Sequence, residues 1–136
     1  MSAKVFNPDT LPALAGYNHG VELSGSRILF IAGQTGLSAD GTVPAAFAEQ
    51  FGVALANVRA VLEAAGGTAE DIGRLTIYVT DMTEYLAARR KLKDAYRKHF
   101  GRHYPAMSAV EVKGLLFPEM KVEIEATAVL GAKRPS

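Results

Sequence analysis

Residues Tyr104 to Val129 read YPAMSAVEVKGLLFPEMKVEIEATAV, and the way this stretch divides between two faces decides the fold. Val122, Ile124, Ala126 and Ala128 alternate with Lys121, Glu123, Glu125 and Thr127, the period of two that a half-buried strand requires. The spacing predicts a strand over Met120–Val129 and a shorter one over Ala106–Val112, joined by a loop carrying Gly114 and Pro118. Strands that follow one another usually pair, so these two are expected side by side. Glu123 and Glu125 then share a face, which is either solvated or the wall of a pocket.

Upstream, Leu75, Ile77 and Val79 alternate with Thr76, Tyr78 and Thr80, a further strand. Asp81-Met82-Thr83-Glu84 has the spacing of a capping box, so a helix is expected from near Thr83, burying Tyr85, Ala88, Leu92, Ala95 and Tyr96 and ending before Gly101. A longer helix follows Pro44: Phe47, Phe51, Ala54, Leu55, Val58, Val61, Leu62 and Ala65 recur at spacings of three and four until Gly66-Gly67.

Residues 3–6 read as a short strand. Val21–Leu23 and Arg27–Ala32, separated by Ser24-Gly25-Ser26, read as a hairpin. The second of these is apolar on both faces and calls for cover on both sides. Gly33-Gln34-Thr35-Gly36 after it is either a plain turn or a run of backbone N–H groups facing an anion.

The chain has 136 residues, of which 49% are hydrophobic, enough for one domain over residues 1–136 with a core that needs no staples. The absence of cysteine excludes disulfides, thiolate zinc sites and a cysteine nucleophile. No stretch has the length or apolarity of a signal peptide or membrane span, so a cytoplasmic protein without a membrane partner is expected. A net charge of +1 gives no long-range pull toward nucleic acid.

Seven of the fifteen basic residues nevertheless lie between Arg89 and Arg102, and Arg89, Lys93 and Arg97 form one helical row. No aromatic residues interleave that row to stack bases, so it reads first as a solvated face. His99 and His103 have the spacing of a helical metal pair, but Gly101 intervenes and is expected to end the helix, so no metal or other cofactor is expected.

Tyr-Pro-Ala-Xaa-Ser-Ala-Val-Glu-Val followed by Lys-Val-Glu-Ile-Glu-Ala resembles the C-terminal signature of the YjgF/Rid family, the reactive-intermediate deaminases. Gly16-Tyr17, Gly20-Val21, Phe30-Ile31-Ala32-Gly33-Gln34, Asn57-Val58 and Val79-Thr80-Asp81-Met82 resemble other family motifs in the same order, so the resemblance runs from about Tyr17 to Val129. It implies an α+β, chorismate-mutase-like fold: a mixed sheet of about six strands, two long helices on one face, and three copies in a ring with clefts between adjacent subunits. It also implies water addition to the C=N carbon of an unstable imino acid, with Glu123 handling the water and Tyr17, Gly33, Arg90, Met107 and Ala109 lining the substrate site.

At Met107 the chain departs from the resemblance, because imine-hydrolysing members carry an arginine there for the substrate carboxylate. Truncating such a desolvated contact costs about 2–5 kcal/mol, so ordinary 2-imino acid turnover is not the expected activity. Three readings follow, in order: a diverged hydrolase of a different enamine, imine or related small molecule; a ligand-binding or regulatory protein without turnover; and a ribonuclease or RNA-binding protein using the basic helix. The expected partners are a small molecule and two further copies of the chain, not nucleic acid.

Overall fold

The computed structural model describes residues 4–13 and 16–131. Six strands form in chain order: β1 (Lys4–Phe6), β2 (Gly20–Glu22), β3 (Arg27–Thr35), β4 (Ile72–Val79), β5 (Ala106–Glu111) and β6 (Val122–Leu130). Helix α1 (Phe47–Ala64) lies between β3 and β4, and α2 (Met82–Ala87) and α3 (Arg89–Phe100) lie between β4 and β5. The expected α+β architecture is present, with helices on one face of a mixed sheet and, among the described residues, none on the other. Ala3, part of the expected first strand, lies outside the described residues.

The six strands divide into a pair, β1-β2, and a four-stranded sheet in the order β3-β6-β4-β5. The expected pairing of β5 with β6 does not occur. β4 lies between them, parallel to β5 and antiparallel to β6. The ten residues joining β5 to β6 are longer than a hairpin turn and impose no adjacency. β4, with Ile72, Leu75, Ile77 and Val79 buried, has the more apolar helix-facing side and takes the interior position, leaving β5 at an edge.

The expected hairpin of β2 on β3 is also absent, because β2 pairs with β1. Ser26 N donates to Leu130 O at 3.0 Å, and a Cβ on Gly25 would collide with the Leu130 backbone. The Ser24–Ser26 turn is thus docked on the end of β6 and does not fold β2 back along β3. One isolated parallel bridge, Asn18 to Ala106, joins the segment before β2 to the start of β5.

Packing follows the alternation. Val122, Ile124, Ala126, Ala128 and Leu130 of β6 are buried against Phe51, Ala54, Leu55, Val58 and Leu62 of α1, with Leu92, Tyr96 and Phe100 of α3 completing the core. α1 ends in a Schellman motif: Gly66, at φ 82°, donates to Glu63 O, and Gly67 donates to Leu62 O, both at 2.9 Å. The expected second helix is interrupted at Ala88. Its start shows half of a capping box: the Asp81 carboxylate accepts from Glu84 N at 3.1 Å, while Met82 N turns to the Glu111 carboxylate.

One polar residue lies within the α1 stripe. Gln50 is 1% exposed; its amide donates to Pro44 O at 2.8 Å and Glu119 O at 2.9 Å, and its oxygen accepts from Lys121 N at 2.9 Å. This single side chain ties the loop before α1 and the loop before β6 to one helix. Gln50→Leu conserves the volume but strands three backbone groups, so a loss of about 2–3 kcal/mol is expected in urea denaturation. A loss below about 0.5 kcal/mol would show that the loops find other partners.

Candidate functional site

Within one chain the residues expected at the site separate into two groups. The first surrounds a cleft of about 400 Å³ at the start of β5. Tyr17, Asn18 and His19 form one wall, and Arg74, Leu75, Ala106, Met107 and Ser108 form the floor and the other wall.

Asparagines hold the first wall in place. Asn18 Nδ2 donates to Tyr104 O at 2.5 Å and Asn18 N to Pro105 O at 3.3 Å, while Asn7 Nδ2 donates to Asn18 Oδ1 at 2.8 Å. Asn7 Oδ1 in turn accepts from His19 N at 2.8 Å. His19 Nε2 lies 3.0 Å from Pro12 O, and a carbonyl only accepts, so this nitrogen carries the proton. That contact and an edge-on approach to the Tyr17 ring, 6.5 Å between centroids, orient the imidazole.

The turn into β5 is anchored from behind. Tyr104 stacks on Tyr96 at 5.7 Å and an interplanar angle of 8°, and Tyr96 OH donates to His103 O at 2.5 Å. His103 Nε2 donates to Ile72 O at 2.6 Å. α3 ends at Phe100, as expected from Gly101, and His103 beyond it has a backbone partner. Among the described residues no group of three or more His, Cys, Asp or Glu could hold a metal.

The second group is built around Glu123, on the helix-free face of β6. Between Ile31 and Gln34 the register with β6 slips by one residue, a bulge containing Ala32 and Gly33. A Cβ on Gly33 would collide with the Glu123 carboxylate, so the missing side chain is what admits the carboxylate at the bulge. Asn57 Nδ2 donates to Thr35 O at 3.1 Å and Leu37 O at 3.0 Å, which fixes the turn after the bulge to α1.

Glu123 and Glu125 share a face, as the alternation requires, but their contacts differ. Tyr78 OH donates to Glu125 Oε1 at 2.7 Å. This bond pushes the Tyr78 phenol above its usual range, and the nearby Glu123 charge acts in the same direction. Glu123 has no hydrogen-bond donor among the described residues and is free to hold a water or ligand.

Sheet register separates the two groups. Glu123 pairs with Tyr78, and Tyr78 with Val110, so Met107 lies two strands across and three residues along from Glu123. With about 4.8 Å between strands and about 3.3 Å per residue, that is about 10 Å in each direction, and the odd offset puts Met107 on the opposite face. Met107 and Ala109 pack partly buried against the core, and only Met107 borders the cleft. Arg90 is exposed on α3 and borders it nowhere. Sequence reasoning missed Asn7, Asn18 and Arg74, whose partners or neighbours lie far away in the chain.

The helix-free face is apolar where β3 crosses it. Ile28 is 65% and Phe30 78% exposed, beside Thr127 and Val129 of β6. Arg89, Lys93 and Arg97 are exposed on α3. No helix among the described residues is long and apolar enough to cross a membrane.

Comparison with known proteins agrees with this architecture. The chain is 33% identical over 130 residues to a 2-iminobutanoate/2-iminopropanoate deaminase of Escherichia coli, covering 95% of this chain and 98% of that protein. The Rid-family protein YyfB of Yersinia pestis superposes with a TM-score of 0.85 at 34% identity, covering 96% of this chain and 100% of that one. Escherichia coli TdcF with bound serine superposes with a TM-score of 0.69 at 32% identity, covering 94% and 99%. The family model described as Endoribonuclease L-PSP matches residues 8–130, and with these relatives it establishes that the chain belongs to the YjgF/Rid family.

Proposed function

We propose that the protein is a small-molecule hydrolase of the deaminase type, acting on an enamine, imine or related reactive metabolite in a cleft completed between copies of the chain. The observation that carries this reading is the separation of Glu123 from Met107 across two strands and two faces. A site using both needs the Glu123–Gly33 half of one copy against the Tyr17–Met107 half of another. Exposed Ile28 and Phe30 supply an apolar surface for that contact, and a closed ring of three satisfies it with one repeated interface. The deaminase name of one relative and the serine bound in another support a small-molecule role.

In this reading residues 1–136 are one domain of a cytoplasmic homotrimer. A water held by the Glu123 carboxylate adds to the C=N carbon while its proton passes to the carboxylate. The carboxylate passes that proton to the nitrogen, giving a carbinolamine; the hydroxyl proton is then carried through the same carboxylate to the amino group as C=O forms and the C–N bond breaks, releasing ammonia. Tyr17 borders the reacting centre, and Gly33 keeps the space beside Glu123 open. Met107 presents a thioether where a small 2-imino acid needs a cationic fork, so the substrate carries an apolar group there.

Glu123→Gln is expected to lower turnover of an imine generated in situ by about a hundredfold or more, whereas Glu125→Gln, which disturbs only the Tyr78 bond, retains most of it. Equal rates for wild type and Glu123→Gln would reject the assignment. In sedimentation velocity at micromolar concentration the wild type is expected to run as a trimer and Phe30→Asp as a smaller species; a stable wild-type monomer would remove the shared cleft.

Met107→Arg is expected to raise hydrolysis of 2-iminopropanoate by at least about tenfold, since the other parts are in place. An inactive wild type with an inactive, correctly assembled Met107→Arg variant would favour a ligand-binding protein without turnover.

A further inference from the structure

His19 stands on the Tyr17 wall of the cleft with two of its polar groups already committed. Its backbone N–H donates to Asn7 Oδ1 at 2.8 Å, and its Nε2–H to Pro12 O at 3.0 Å. With the proton on Nε2, the neutral ring carries a bare lone pair on Nδ1. That atom has no hydrogen-bond partner among the described residues and, unlike His99 Nδ1, is not buried away from water. The Pro12 carbonyl and the edge-on Tyr17 ring hold the imidazole, so the acceptor is fixed before any ligand arrives.

The surrounding groups decide what such an acceptor reads. Met107 and Ala106, which border the same space, have no side-chain N–H or O–H to donate. Arg74 borders it from the face of the sheet opposite Met107, the face that carries Glu123 and Glu125. In the proposed ring a neighbouring copy adds its own Glu123 carboxylate to the cleft. A ligand carboxylate at His19 would then face a lone pair and a second carboxylate, whereas an N–H would meet an acceptor.

Resting on the hydrolase reading, we infer that His19 Nδ1 accepts a hydrogen bond from the ligand's N–H, and that the ligand is a primary imine or enamine without a carboxylate, its aliphatic part against Met107. The substrate class changes at both ends. Met107 removes the reader of a carboxylate, and His19 supplies a reader of the nitrogen. An imine substituted on nitrogen has no N–H to give and is refused. With its N–H held on His19, the imine nitrogen keeps its own lone pair free for the proton that Glu123 returns, so the contact orients the C=N bond and takes no part in proton transfer.

The test is calorimetric binding of hexanamide, a stable carrier of an unsubstituted N–H donor, against 2-heptanone, in which a methyl group replaces the amide nitrogen, at about pH 8, which favours the neutral imidazole. The amide-over-ketone affinity ratio is expected to be about five- to tenfold higher in wild type than in His19→Phe, with His19→Gln, which keeps an acceptor oxygen, in between. In protein labelled with nitrogen-15 histidine, the His19 Nδ1 resonance is expected to move upfield on saturation with hexanamide and to stay in place with the ketone. Equal ratios in wild type and His19→Phe, a stationary Nδ1 resonance, no binding of hexanamide, or tighter binding of hexanoate than of hexanamide would each overturn the inference. The resonance is read in the wild type, so a poorly folded variant does not protect the idea. Turnover, scored separately, distinguishes the two readings: a His19-dependent amide preference without turnover defeats the hydrolase and keeps the contact, whereas turnover without that preference does the reverse.

Discussion

β6 is hydrogen-bonded on both edges, to β3 on one side and β4 on the other, and this double pairing fixes the face of every residue from Val122 to Leu130. A slip of one residue would exchange Val122, Ile124, Ala126 and Ala128 for Glu123, Glu125 and Thr127 in the core, burying two carboxylates against α1. The register is therefore held by the whole core. Because the carboxylates are the remainder of that same alternation, the position of Glu123 is inherited from packing and needs no separate device.

The bulge in β3 adjusts this rigid frame at one point. Thr35 pairs directly with Glu123; the extra residue before it brings Gly33 against the carboxylate, where the missing side chain leaves room, while Asn57 holds the following turn to α1. On the opposite edge β5 departs from strict alternation too, with Ser108, Val110 and Glu111 all exposed. The main sheet thus has a well-covered centre and two incompletely covered borders. Gly33 lies on one of those borders and Met107 on the other.

What the sequence disclosed and what it hid divide by range. The α1 stripe, its Gly66-Gly67 end, the Asp81 cap and the faces of β6 are local patterns, and all are found as expected. Strand order was not legible, because β4 enters between β5 and β6 through contacts some 50 residues apart in the chain, and because the Ser24–Ser26 turn answers to Leu130. Gln50 looks like an ordinary polar position until its three backbone partners are assembled around it. Glu123 and Gly33 were legible as family positions, but their direct contact depends on a bulge that no spacing announces. Arg74 carried no motif at all; it borders the cleft only because the register puts it beside Ala106.

The two half-sites differ in what holds them. Glu123 and Gly33 are on strands welded into the main sheet, whereas the Tyr17 wall is tied by Asn18 and Asn7 through a few side-chain bonds, and β1 behind it is exposed at every residue. Few buried apolar contacts and largely solvent-exposed hydrogen bonds place that wall at the low-stability end of the structure, where local opening is cheapest. In the proposed hydrolase, the carboxylate assigned to water is consequently on the most firmly paired strands, and the Tyr17 wall assigned to substrate is on the least firmly held segment. Met107 and Glu123 are two strands apart on opposite faces, so in that proposal a change of residue at 107 leaves the surroundings of Glu123 undisturbed.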